Sequence, residues 1–432
     1  MGYKKKFLIQ GMILIGGAVG GLVLLILVHL LPLAPMKEHV YWSMDMIERE
    51  FEQEEVILGH PATLTGNFTD CLMLEHAVYS YEEHGVLAQV LHMFRGESYY
   101  EEGNEEGWQP GESLRDYLGG APQPREVEYG RYWHGYLVIL KPLLLLTSVN
   151  TLRLINSAFQ LFCVGGILIL LTKKNAEKLA VAFLFSLPFL YYVSSFASLS
   201  LSICLCLMLC EILFQVCMDE KLYRRGRYAE FFLIMGMLTS YFDFLTYPLI
   251  TLGYPLCVYC YFHMDDKVEK QIKKVLFYSV EWGIGYAGMW AEKWVLSDLL
   301  SDSHVIQDAW ENVRTRTGSA AEYSRLEGFF HVVGRNVKMY GNWCYVLVAI
   351  CVIVFVAICV RKGKMIRRRI AAQIGSYALI ALYPFFWYFL IENHSEQHWL
   401  FTCRILAISV FALGAGAAGF SRSSHGTKNE EN

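Results

Sequence analysis

The chain has 432 residues, of which 54% are hydrophobic and only 18% charged, and its formal net charge is −4. Soluble globular chains carry about a quarter charged residues. Here the apolar surplus falls in blocks of about twenty residues separated by short charged stretches, which excludes a soluble enzyme and a disordered scaffold, and the mild acidity leaves no basic footprint for nucleic acid.

Bilayer thickness makes about 20 apolar residues the unit of reading. The first run, residues 7–31, follows Lys4, Lys5 and Lys6. It is too long for a signal-peptide core and no small-residue cleavage site follows it, so it is expected to stay as the first crossing helix. Further runs lie at 151–171, 179–192, 199–218, 228–248, 249–261, 275–290, 343–360, 371–391 and 401–420. The predicted fold is an all-α polytopic membrane protein with about ten transmembrane helices and a large helical first extracytoplasmic loop.

Basic residues set the orientation. Lys173/Lys174/Lys178, Lys221/Arg224/Arg225/Arg227, Lys267/Lys270/Lys273/Lys274 and Arg361/Lys362/Lys364/Arg367/Arg368/Arg369 alternate with linkers poor in Lys and Arg. With the first lysine triplet, every basic cluster falls on one side, as the positive-inside rule requires. Both termini are expected in the cytoplasm of a multi-pass plasma-membrane protein. The expected organisation is a terminus and first helix at 1–33, an outer loop with interfacial helices at 34–148, helices two to seven at 149–300, an amphipathic outer loop at 301–342, helices eight to ten at 343–420 and a tail at 421–432.

The first outer loop carries about twenty Asp and Glu against about seven Lys and Arg, and both outer loops exceed ordinary connector lengths. Of the twelve cysteines, most lie in apolar runs, where a thiol behaves as a small hydrophobe. Cys71 is the main candidate on the outer side and has no obvious partner.

Four groups of residues could carry chemistry. In Gly66-Asn67-Phe68-Thr69-Asp70-Cys71, Thr69 or Asp70 can cap a helix beginning at Cys71. Alternatively, Asp70 is a general base for a hydroxyl. In Tyr129-Gly130-Arg131-Tyr132-Trp133-His134-Gly135-Tyr136 the aromatics read as an interfacial belt. Arg131 suits a phosphate, because its planar fork donates two parallel hydrogen bonds; His134 lies beside it and Lys141 follows. Asp243, Arg153 and Arg404 are polar residues near helix ends, where Asp243 and Arg404 either pair or serve a site. Glu211 and Glu281 lie deeper. Finally, His394 and His398 are four apart in a short loop. They are not an H-E-x-x-H motif, and two ligands do not make a metal site, so donation to a phosphate or a sugar hydroxyl is the expected role. Arg314 and Arg316 in the second outer loop add cations on the same face.

This layout resembles the GT-C class of polytopic membrane glycosyltransferases across the whole chain, as architecture. The resemblance implies an essential acid in the first outer loop, an active site at the outer membrane surface and a sugar donor linked to a polyprenyl phosphate. In that class the acid often follows the first helix closely, as Asp-Asp or Asp-Glu; here Asp70 stands later and alone, while Asp45 and Glu48 precede an acidic stretch that looks solvated. The expected reaction passes the sugar to a polysaccharide, lipid or protein acceptor. Asp70 would deprotonate the acceptor. Arg131, His134, Asp243, Arg314, Arg316, His394, His398 and Arg404 would bind substrate or the leaving phosphate. No cofactor and no nucleic acid is called for, membrane lipid is a partner, and a divalent metal stays open. The alternatives are a non-enzymatic transporter or flippase and a cell-envelope polysaccharide polymerase.

Overall fold

The computed structural model describes residues 3–53, 65–80, 84–97, 109–123, 125–265, 267–301, 304–318, 323–361 and 367–420. The long apolar runs form helices, because a chain in hydrocarbon must satisfy its backbone internally. α1 spans Tyr3–His29. Five short helices follow: α2 (Leu33–Tyr41), α3 (Met44–Gln53), α4 (Asn67–Val78), α5 (Gly85–His92) and α6 (Pro110–Leu118). Strands Arg95–Glu97 and Arg125–Val127 pair antiparallel, with Gly96 opposite Glu126. This small two-stranded sheet, with α6 between its strands, departs from the all-helical expectation. α7 (Leu137–Leu146) leads into α8 (Val149–Lys173).

The bundle continues with α9 (Glu177–Ser186), α10 (Ser194–Ala197), α11 (Leu199–Arg224), α12 (Tyr228–Phe242), α13 (Ile250–Phe262) and α14 (Val268–Leu300). Two amphipathic helices, α15 (Val305–Thr317) and α16 (Arg325–Lys338), precede α17 (Trp343–Arg361). A capping box in which Ser324 and Glu327 satisfy each other's backbone amides starts α16. Then come α18 (Arg367–Ala381), α19 (Tyr383–Leu390), α20 (Glu392–Gln397), α21 (Trp399–Thr402) and α22 (Ala407–Phe420).

Among the described residues, six segments are long and apolar enough to cross a membrane: Leu8–His29, Val149–Lys173, Leu199–Arg224, Trp343–Arg361, Ile370–Leu390 and Trp399–Phe420. The protein is therefore a helical membrane protein. Several expected runs differ in extent. The run expected at 228–248 stops at Phe242, because the Asp243 carboxylate takes the amides of Leu245 and Thr246 and turns the chain. The run expected at 275–290 is part of a 33-residue helix.

Hydrogen bonds fix which helix ends lie together. At one end of α11, Asp70 accepts the amides of Leu199 and Ser200. At its other end Asp219 binds His263 just past α13, and Lys174 lies over the Phe262 ring. Most of the length of α11 separates Leu199 from Asp219, roughly 30 Å at 1.5 Å per residue. Lys173 and Lys174, Arg224 and Arg225, and the end of α13 near His263 thus cluster at the end remote from Asp70.

α12 and α14 pack backbone to backbone. A methyl group at Gly236 would lie 2.0 Å from the Trp282 carbonyl oxygen, and one at Gly285 would lie 2.0 Å from that of Leu233. Only glycine permits this approach. The main apolar core lies among α8, α9, α11, α13 and α22, with Ile167, Phe183, Leu205, Tyr254 and Phe411, and around α1, α2, α4 and α7 a second forms from residues such as Leu25, Met36, Leu74 and Leu140. Buried Lys141 donates to the Ala77 carbonyl and ties α7 to α4.

Candidate active site

A cavity of about 720 Å³ opens at the Asp70 end of the bundle. One wall is a single face of α4. Thr69, Leu72, Met73 and His76 line it, the i, i+3, i+4, i+7 spacing of one helical stripe. Tyr129, His134 and Tyr136 come from the segment before α7. Phe244, Leu245 and Thr246 come from the turn after α12. Arg316 projects from α15, with His394 and His398 on and just after α20. Glu50 of α3 and Asn67 complete the rim.

Two cavity residues hold positive φ without being glycine: His134 at 54° and Leu245 at 72°. Such strain persists only where the surroundings impose it. At Leu245, Asp243 Oδ2 accepts the amides of Leu245 and Thr246 at 2.9 and 3.0 Å. The Leu245 carbonyl, so presented, receives His394 Nε2 at 3.0 Å. A carbonyl only accepts, so Nε2 carries the proton and Nδ1 is bare. Arg316 Nη1 donates to that Nδ1 at 2.7 Å. Asp243, Leu245, His394 and Arg316 thus form one positioning chain.

The same logic applies at His134. Its Nε2 donates to the Tyr129 carbonyl at 2.9 Å, leaving Nδ1 to accept from the Tyr136 hydroxyl at 3.0 Å. His76 stacks on Tyr129 and lies 4.7 Å, ring to ring, from His134. Burial holds these imidazoles neutral: His134 is pushed down to about 3, and His398, beside Arg316, down to about 4. His76 and His394 also lie well below the usual imidazole range, chiefly through burial. The charges facing the cavity are therefore Arg316 and Glu50. The Glu50 carboxylate accepts from Arg153 at 2.6 Å and from Asn67 at 2.8 Å. No described carboxylate pairs with Arg316; its one hydrogen bond is to His394.

Of the residues expected from sequence, His134, Arg316, His394 and His398 come together here. Asp70 does not line the cavity. It points sideways from that stripe toward α11, 2% exposed, and accepts from the amides of Leu199 and Ser200 and from the Ser198 hydroxyl at 2.8, 2.8 and 3.1 Å. Burial raises its carboxyl, against the lowering pull of Arg153 and of these donors. Nor does it cap its own helix: α4 begins at Asn67, not Cys71. Arg131 pairs with Asp308 at 3.2 Å and lies over the Tyr129 ring. Arg314 is exposed, over Trp310. Buried Arg404 donates to the Ser194 hydroxyl and lies over Tyr191. The Asp243 carboxylate holds the turn described above, accepting from Leu245 and Thr246.

Glu50, His76, Tyr129 and Tyr136 are cavity residues that sequence reasoning did not select. The α4 stripe carried a signal for His76, at one heptad from Thr69. Among the described residues no group of three or more His, Cys, Asp or Glu is placed to hold a metal ion. Compared with known proteins, the chain matches no family model, no curated protein and no solved structure.

Proposed function

We propose that the protein is a membrane glycosyltransferase that moves a sugar from a polyprenyl-phosphate donor to an acceptor hydroxyl at the outer face of the plasma membrane. The observation that carries this reading is Arg316: a guanidinium at the wall of a largely apolar cavity, with no carboxylate partner among the described residues and neutral imidazoles around it. An unpaired cation in such a setting calls for an anionic ligand. In this reading the donor phosphate lies against Arg316 and His398. The acceptor oxygen attacks the anomeric carbon as the carbon–oxygen bond to phosphate breaks, and charge growing on the leaving phosphate is met by fixed donors. The carboxylate placed at the cavity to take the acceptor proton is Glu50; Asp70 becomes the residue that seats α4 against α11. Ten crossings with both termini cytoplasmic belong to the same proposal, supported by basic linkers at the end away from the cavity.

Purified protein in proteoliposomes, given labelled polyprenyl-phosphate sugars, should release polyprenyl phosphate and form one glycoside per acceptor. Arg316→Ala should reduce donor binding by about tenfold or more. Absence of transfer with every donor class, or full activity in R316A, would reject the reading. One observation favours a carrier instead. Glu211, buried in α11, has no described hydrogen-bond partner on either carboxylate oxygen, and an intramembrane acid often marks a transport path. Uptake of an unmodified substrate, lost in Glu211→Gln, would support that alternative.

A further inference from the structure

His398 stands apart from the other cavity histidines. His394 and His134 each spend one nitrogen on a backbone carbonyl and the other on a side chain. No described group hydrogen-bonds the His398 imidazole, though it lines the cavity. Its ring lies 4.6 Å from that of His394, which in turn holds Arg316. Both of its nitrogens are therefore free to serve a ligand, one as donor and one as acceptor.

We propose that His398 becomes the second cation of the cavity by taking up one proton when a phosphodiester anion binds beside Arg316. This rests on the reading above only in placing an anionic phosphate there; it does not require sugar transfer. Without an anion, two influences keep the ring neutral: burial, and the positive charge of Arg316. A bound diester reverses the second and supplies an acceptor for the new N–H. The proton comes from solvent and no covalent bond changes.

The other charged groups nearby do not compete for this role. On α20, Glu396 is engaged by Arg335 and His331 of α16, and Glu392 pairs with Arg325. Asp243 is turned into its own backbone. Glu50 is held by Arg153. His394, His134 and His76 have their pKa values depressed by burial.

The sign of the linkage is fixed. A ring whose pKa is higher in the complex than in the free protein takes up a proton on binding, so affinity falls as pH rises from about 4 toward the bound-state value. The test uses the full-length protein in detergent and two probes, farnesyl methyl phosphate and dimethyl phosphate. Both carry one charge that does not titrate near neutrality. Between pH 5 and 7, affinity should fall by about tenfold or more. His398→Asn should bind more weakly and without this slope. His398→Arg, a permanent cation, should bind at pH 7 at least as tightly as wild type, again without slope. A slope with the lipid probe alone assigns the site to a lipid headgroup, and a slope with both assigns it to any phosphodiester. A flat wild-type profile, an unchanged slope in H398N, or no binding of either probe would overturn the proposal. A slope without sugar transfer would sink the transferase reading and leave this one standing.

Discussion

Asp70 Oδ2 accepts the backbone amide of Leu199 at 2.8 Å, across 129 residues of sequence. The first amides of a helix have no intrahelical partners and carry partial positive charge, so a carboxylate there acts as a cap supplied from a distant helix. Asp70→Ala should cost about 1–3 kcal/mol of stability, and Asp70→Asn less, since it keeps an acceptor. Thermal melting in detergent checks the ranking. Under the proposed reaction, D70N should keep sugar transfer per folded molecule; loss of turnover with an unchanged melt would return the base role to Asp70.

Asp243 acts at the cavity through Leu245. Asp243→Ala removes the acceptor for two amides and frees the carbonyl that orients His394. The expected result is weaker binding of a phosphodiester probe, not additive with Arg316→Ala because the residues lie in one chain of contacts. A double-mutant cycle measures the coupling, and fully additive losses would contradict the chain.

Glu50→Gln keeps an acceptor for Arg153 and Asn67 while losing basicity. Under the proposed reaction it should lower kcat by about 10²–10⁴, with probe affinity nearly unchanged. An equal rise in KM at constant kcat would show that Glu50 binds substrate and does not take a proton.

Glu75 lies on the buried face of α4, fully enclosed, and burial pushes its carboxyl from 4.5 up to about 8. The folded state therefore holds this proton where the unfolded chain has lost it. Stability is full below about 4.5 and declines as pH rises to about 8, on the order of 1 kcal/mol per pH unit in that window. Glu75→Gln should flatten the decline. Melting temperatures at pH 5 and 8 for both proteins test this; parallel declines would exclude Glu75 as the cause.

Apolar runs were legible in the sequence because a lipid-facing helix needs little beyond length and composition. α17, hardly buried by the rest of the protein, could be read directly. The end of α12 was not legible, because a side-chain contact at Asp243 decides it. The histidines at 394 and 398 share a cavity because their loop is short. Arg314 and Arg316 belong to one helix, but a two-residue step turns one to solvent and the other inward. Asp70 and Thr69 separate in the same way: adjacent residues point to different faces, and only the packing of α4 against α11 reveals which faces the cavity. Glu50 was hidden in an acidic stretch, and its ion pair with Arg153 crosses 103 residues.

The glycine contact between α12 and α14 has a mechanical consequence. With carbonyl oxygens filling the space where a methyl would sit, these two rods leave no room for a side chain between them, and any larger residue would have to push them apart. The turn bearing Leu245 follows directly from α12 and is held by Asp243. Through His394 and Arg316 the same turn also holds α20 and α15, so a methyl added at Gly236 or Gly285 should disturb the seat of the guanidinium without touching the cavity.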